Sequence, residues 1–253
     1  MTERLRIRFT KRGKIRFTSH RDVARMWERA LRRSRLSIAL SQGFNPRPLL
    51  SFGLALPTGA ESLAEYLDVA LAPAPIAPPE ELGDLGVLAR ELSEYLPEGL
   101  EAVAIGHLGD RAGSLQQEVT SCSWELEVRC VIASELARRV ERLLDAPSVS
   151  VRRERKGRRF DDDLRPSVRS LVVSESEGDD LIAGSSGLRA ELATRPRGVR
   201  PRELVEALGT DLVLGRARRT QQWIERDGAR WEPLSVAEDG CTVMAPHAME
   251  RAS

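Results

Sequence analysis

Seven consecutive residues, Gln42-Gly43-Phe44-Asn45-Pro46-Arg47-Pro48, bring together groups suited to recognising a nucleic acid. Phe44 offers a flat face on which a base can stack. Gln42 and Asn45 offer amide edges, Arg47 a cation, and Gly43 a backbone that a ligand can approach closely. The two prolines hold such a loop in one shape. The alternative is a rigid structural loop whose phenyl ring plugs the core. Just upstream, Arg29, Arg32 and Arg33 supply guanidinium groups, which bind phosphate bidentately. With Arg6, Arg8 and Lys14 they predict a phosphate-tracking face. The alternative here is a solvated basic face that pairs with carboxylates of the same chain.

A second group of residues points toward proton transfer. His20 sits between Ser19 and Asp22, where an imidazole can shuttle a proton or simply pack beside a helix start. Asp163 and Arg165 are spaced to pair and orient each other. Asp161-Asp162-Asp163 is a run of carboxylates, but consecutive residues rarely converge on one ion, so no metal site is expected. The chain has three cysteines. Cys122 and Cys130 fall on one side of a strand and read as buried, inert thiols; Cys241 stands apart. No close triplet exists to hold an iron–sulfur cluster, and no close pair exists for a zinc ribbon. No glycine-rich phosphate loop, dinucleotide fingerprint or nucleophile elbow is present. The expectation is a protein without a cofactor of its own, and a binding module rather than a catalyst.

The elements that must position these groups follow from periodicity. Arg4–Thr10 alternates, which predicts a half-buried strand with Leu5, Ile7 and Phe9 inward and arginines on a cationic outer face. Lys11–Lys14 reads as a turn, and Ile15–Phe17 as extended chain. Ser19 caps a helix to about Ser34, with Asp22 closing a capping box and Val23, Met26, Trp27, Ala30 and Leu31 as the buried stripe. Strands are expected at Ile38–Leu40, Leu49–Leu56 and Glu65–Leu71. A Pro/Ala connection at 72–79, a helix over 80–96 and a strand at Ala102–Ile105 complete a β–α–β–β–α–β order.

A comparable order recurs downstream. It comprises a strand to Cys130, a helix at Ala133–Leu144, strands at Val149–Arg155, Ser167–Ser174 and Gly187–Thr194, a helix at Pro201–Leu208, and a strand at Leu212–Leu214. Arg155–Arg159 reads as a basic turn, and with Asp161–Asp163 it makes a charge-alternating hairpin or a solvated loop. The predicted fold is therefore α+β, two tandem ferredoxin-like (βαββαβ) domains with antiparallel sheets. Their expected limits are 1–112 and 113–220, with a partly disordered extension over 221–253.

Formal net charge is only +1, but its distribution is uneven. Residues 1–50 hold 14 Lys/Arg and 3 Asp/Glu, whereas residues 51–150 hold 6 Lys/Arg and 17 Asp/Glu. Such asymmetry suits either a polyanionic partner or internal neutralisation. The N-terminus has no apolar run of a signal peptide, and no stretch approaches a membrane span; a cytoplasmic protein is expected, with no membrane partner.

Several of these motifs together resemble a known family. They are Ile15-Arg16-Phe17-Thr18-Ser19-His20-Arg21-Asp22, Arg29-Ala30-Leu31-Arg32-Arg33, the Ser41–Pro48 loop, Ser51-Phe52-Gly53, and Leu56-Pro57-Thr58-Gly59 with Glu61-Ser62 and Glu65-Tyr66. Arg155-Lys156-Gly157 and Asp163-Leu164-Arg165-Pro166 fit as well. The chain resembles the radical SAM-linked protein family, a domain of unknown function encoded beside or fused to radical S-adenosylmethionine enzymes. Arg21 stands where that pattern carries an aliphatic residue, and Arg47 where it carries histidine. The resemblance implies a separate radical enzyme as partner. Joined to the basic front, it predicts an accessory module that binds RNA, of tRNA-like kind, for that enzyme. Two alternatives stay open. One is an enzyme acting on RNA, like a pseudouridine synthase or a ferredoxin-like endoribonuclease, with His20, Asp163 and Arg165 as candidate groups. The other is a protein–protein adaptor without nucleic acid.

Overall fold

The computed structural model describes residues 3–73, 84–108, 113–155, 157–174, 184–226 and 228–234. The Pro/Ala connection, the start of the helix expected from Glu80, and the tail beyond 234 lie outside the described residues. The fold is mixed α+β with mostly antiparallel strands. It divides into two compact units, Met1–Val119 with Gln222–Ser253, and Thr120–Gln221.

In the first unit the chain runs β1 (Arg4–Lys11), α1 (His20–Arg33), β2 (Leu50–Phe52), β3 (Glu61–Ala70), α2 (Leu85–Glu94) and β4 (Leu100–Leu108), ending in the short α3 (Leu115–Glu118). β1 lies between β4 and β3, antiparallel to both, and β2 pairs antiparallel with β3. Alternation in β1 puts Leu5, Ile7 and Phe9 into one core. There they meet Val23, Trp27 and Leu31 of α1, Leu67 and Val69 of β3, Leu88 and Leu92 of α2, and Ile105 of β4. Phe9 and Trp27 meet edge to face with ring centroids 5.0 Å apart, a favoured aromatic geometry.

α1 starts and stops where its sequence says. Ser19 accepts from Asp22 N at 3.2 Å and donates its hydroxyl to the Asp22 carboxylate at 2.7 Å. Ser34 ends the helix, its N–H donating to Ala30 O. Ser19→Ala is expected to lower stability by about 1 kcal/mol, read from a urea melt, because one helix-start N–H loses its acceptor.

Several expectations are corrected. Ile15–Phe17 is not extended but belongs to a 3-10 turn, Gly13–Phe17. The Thr18 N–H and hydroxyl both donate to Ile15 O and close it. Ile38–Leu40 forms only isolated bridges, Ile38 to Leu71 and Leu40 to Pro48. The outer face of β1 is not a cationic surface, since Arg6 is 2% exposed and the strand is buried on both faces.

The second unit runs β5 (Val119–Arg129), α4 (Ala133–Asp145), β6 (Ser150–Arg155), β7 (Arg158–Asp163), β8 (Val168–Ser174), β9 (Ser185–Ala193), α5 (Pro201–Leu208) and β10 (Val213–Arg226). β9 pairs antiparallel with both β5 and β8. β6 and β7 form a separate two-stranded hairpin, the first of the two forms, hairpin or loop, that the sequence left open for this segment. Cys122, Trp124, Leu126 and Val128 of β5 are buried, and α4 packs against β8, β9 and α5. Cys130 does not continue that face. The strand has ended, Cys130 takes a left-handed backbone with φ 67°, and its side chain is exposed.

The boundary between the units falls inside β10. Residues 222–234, expected as the start of a separate extension, instead join the first unit through side-chain contacts. β11 (Ala229–Trp231) folds back on the end of β10, Gln222 donates to Ala64 O at 2.6 Å, and Arg6 donates to Pro233 O.

Candidate nucleic-acid interface

Helix α1 sorts its residues by type. Val23, Trp27, Ala30 and Leu31 face the core, and the arginines at 21, 25, 29 and 32 recur at helical spacing on the opposite, exposed side. Arg33 is also exposed, and its guanidinium lies 5.4 Å from the centre of the Tyr95 ring. Cations in the last turn of a helix are favoured by its dipole, so Arg32 and Arg33 sit there without needing carboxylates. Among the described residues Arg25 reaches Asp22 at 3.5 Å, but no ion pair engages Arg21, Arg29, Arg32, Arg33 or Arg47.

The loop after α1 is closed at its base. Ser41 N donates to Arg47 O at 2.8 Å, and Arg47 N donates to Ser41 Oγ at 3.1 Å. Gly43 sits at φ +130°, a conformation that L side chains rarely adopt, so glycine is the residue that lets this tight loop close. Gln42, Gly43, Phe44, Asn45 and Arg47 are all exposed. Phe44 is fully exposed, at 113%, and so is not a core plug. Arg32 Nη2 donates to Pro46 O at 3.5 Å, which joins the helix end to the loop. Lys14 is exposed in the 3-10 turn.

The β1 cations do not join this surface. Arg6 makes a bidentate pair with Asp68, Nε to Oδ1 at 2.7 Å and Nη2 to Oδ2 at 2.9 Å, with both residues buried. Arg8 reaches Glu232 at 3.1 Å and Leu63 O. Lys11 donates to Thr18 O at 2.9 Å, and burial pushes its pKa down despite nearby Glu65. Arg12 pairs with Glu101, Arg16 with Glu61 and Arg35 with Glu91. Internal neutralisation thus holds for Arg6, Arg8, Arg12, Arg16 and Arg35, while Lys14 and the arginines at 21, 29, 32, 33 and 47 stay open among the described residues.

The proton-transfer candidates do not form one constellation. His20 is exposed at the start of α1, edge-on to Phe52 with centroids 5.0 Å apart. Beside it Lys11, Phe52, Glu65 and Tyr66 enclose a void of about 20 Å³, room for roughly one water. Burial drives the Tyr66 phenol far above its ordinary pKa. Asp163, in the second unit, accepts from Val149 N at 2.8 Å and Arg165 N at 2.9 Å, and these two bonds hold its pKa below the usual carboxylate value. The Arg165 guanidinium donates to Leu144 O and Val168 O. Asp163 thus meets Arg165 through the backbone N–H and not the guanidinium, and both residues brace the turn after β7. Sequence reasoning missed the carboxylate partners of Arg6 and Arg8, whose signal is a long-range one. Among the described residues no group of His, Cys, Asp and Glu is placed to hold a metal ion, and no helix is long and apolar enough to cross a membrane.

Fold and site together define a mixed α+β protein with an exposed arginine-and-aromatic surface on one helix and its following loop. Residues 4–201 match the model of a family described as uncharacterised proteins conserved in bacteria, DUF2344, and the chain belongs to that family. The family description names no reaction and no radical S-adenosylmethionine partner. No curated protein matches the chain. Solved structures that resemble it include one described as the crystal structure of a Cbf5-Nop10-Gar1 complex, at TM-score 0.45 and 13% identity over 86% of this chain and 48% of that one. Another is a structure of an H/ACA RNP bound to a substrate RNA containing 2'-deoxyuridine, at TM-score 0.41 and 11% identity over 88% and 47%. The chain spans about half the length of these proteins.

Proposed function

We propose that this protein binds RNA through the exposed face of α1 and the Gln42–Arg47 loop. The observation that carries the proposal is the pairing of unneutralised guanidinium groups at Arg29, Arg32, Arg33 and Arg47 with the fully exposed ring of Phe44. Guanidinium groups track phosphates, and an exposed ring on a closed loop receives an unstacked base. The scaffold we assign to it is a ferredoxin-like layer in each unit. The order β1-α1-β2-β3-α2-β4 and the pairing β4–β1–β3–β2 support this in the first unit. In the second, β5-α4-β8-β9-α5-β10 supports it, with the β6–β7 hairpin as an addition. The resemblance of Ile15–Leu71 to the radical SAM-linked pattern extends the proposal: the RNA, of tRNA-like kind, is presented to a separate radical S-adenosylmethionine enzyme.

The test is a fluorescence-anisotropy titration of labelled single-stranded RNA against the wild type and Phe44→Ala. The expected loss is about 1–3 kcal/mol of binding free energy, the worth of one base stacked on an aromatic ring. Equal affinity of the two proteins would remove the stacking role and with it the preference for RNA over other polyanions.

A further inference from the structure

We infer that the second unit carries a nucleic-acid contact of its own. The β6–β7 hairpin and the loop leading into α5 form a cationic platform for single-stranded RNA, with Arg197 over the Phe160 ring at its centre. The inference takes the identity of its ligand from the RNA reading of the first unit and rests on it.

The composition is one-sided. Residues 150–163 and 195–202 together hold ten Lys/Arg and four Asp/Glu. The three aspartates are engaged in holding the hairpin. Asp161 faces Arg152 at 3.7 Å, Asp162 accepts from Arg153 at 2.9 Å and Arg197 at 3.4 Å, and Asp163 accepts the two backbone N–H bonds described above. Arg153 clamps the hairpin to the start of α5, donating to Glu203 at 2.9 Å and to Gly198 O at 3.4 Å. Glu203 also accepts from Arg200 N, so the same carboxylate fixes the helix start.

This clamp matters because a two-stranded hairpin is marginal alone. None of the described residues of β6 or β7 belongs to the buried apolar core. The segment is held in place by ion pairs although it contributes nothing to that core, which marks it as a presented element. The guanidinium of Arg197 lies 4.7 Å from the centre of the Phe160 ring, is anchored by Asp162, and remains about half exposed at 48%. A guanidinium fixed on a ring presents a second planar face for a base and keeps N–H groups for phosphate. Arg195 and Arg200 are exposed on either side of it in the chain. An acidic peptide would need only charge; the fixed planar surface favours a nucleic acid.

The experiment compares three full-length proteins: wild type, Arg195→Glu/Arg200→Glu, and Arg29→Glu/Arg32→Glu/Arg33→Glu. Each is titrated with labelled oligouridylate across a salt series, with polyglutamate as competitor. Arg195 and Arg200 expose their side chains, and a thermal melt confirms that the variants stay folded. The expected result for the second-unit variant is a log K against log salt slope shallower by about 1.4, two phosphate contacts at about 0.7 each on single strands. The first-unit variant should keep a residual, salt-dependent affinity. An unchanged affinity and slope in Arg195→Glu/Arg200→Glu, with wild type binding normally, overturns this inference and leaves the first-unit reading intact. Polyglutamate competing as well as RNA for the second-unit site overturns it in favour of an acidic protein. Wild type that binds no oligouridylate removes the RNA reading itself.

Discussion

Asp68→Ala should lower the stability of the protein by about 3–5 kcal/mol, the usual consequence of removing one partner from a buried ion pair. The pair is Arg6–Asp68, bidentate and buried at 2% and 5% exposure. With the carboxylate gone, the Arg6 guanidinium keeps Pro233 O at 3.3 Å among the described residues and stays buried with its charge unpaired. The origin of the loss can be separated by a double substitution. Arg6→Met/Asp68→Leu should cost less than Asp68→Ala, because it leaves no unpaired charge in the interior. Urea melts of the three proteins measure both quantities. A small loss for Asp68→Ala would mean that Arg6 reaches solvent, and would return it to the candidate phosphate surface.

The second large effect is on binding. Arg29→Glu/Arg32→Glu/Arg33→Glu should make the salt dependence of RNA binding shallower by about 2 in log K against log salt, three contacts at about 0.7 each. The three side chains are exposed and carry no carboxylate partner among the described residues. The melt should therefore change little, because surface substitutions away from caps and buried pairs have small effects. A variant that melts normally but binds weakly separates the role of these arginines from folding. A variant that binds like wild type moves the interface off α1.

How much of this was legible in the sequence depends on how far apart the interacting residues lie. α1 was legible in outline, since its cap, most of its buried stripe and its exposed arginines are set by neighbours within four residues; Met26 is only partly buried, and Asp22 accepts from the Ser19 hydroxyl where a capping box would use the Ser19 N–H. The Gly43–Pro48 loop was legible for the same reason, since Gly and Pro restrict their own backbone. The fate of Arg6 and Arg8 was not. Alternation in β1 says that they share a face, but their partners Asp68 and Glu232 lie 62 and 224 residues along the chain. Only the completed fold shows that this face is covered.

β7 was left open between a hairpin and a loop because Arg158-Arg159-Phe160-Asp161-Asp162-Asp163 is poor in strand-forming residues. It pairs because the register sets Arg152 against Asp161, a favourable cross-strand combination. β10 was read only as a short strand at Leu212–Leu214, with an extension beginning at 221. Its polar residues are covered instead of solvated, with Arg219 2% exposed and 5.6 Å from the Trp124 ring centre, and Gln222 at 0%. A polar run that is buried by long-range packing leaves no periodic signal in the sequence.

The measurement closest to the central claim is the affinity of the unaltered protein for single-stranded RNA between about 50 and 200 mM salt. Binding at low salt is expected, with log K falling linearly at a slope of about −2 or steeper, as three or more phosphate contacts require. No binding at the lowest salt, or binding that salt leaves unchanged, would contradict an RNA interface on α1 and its loop.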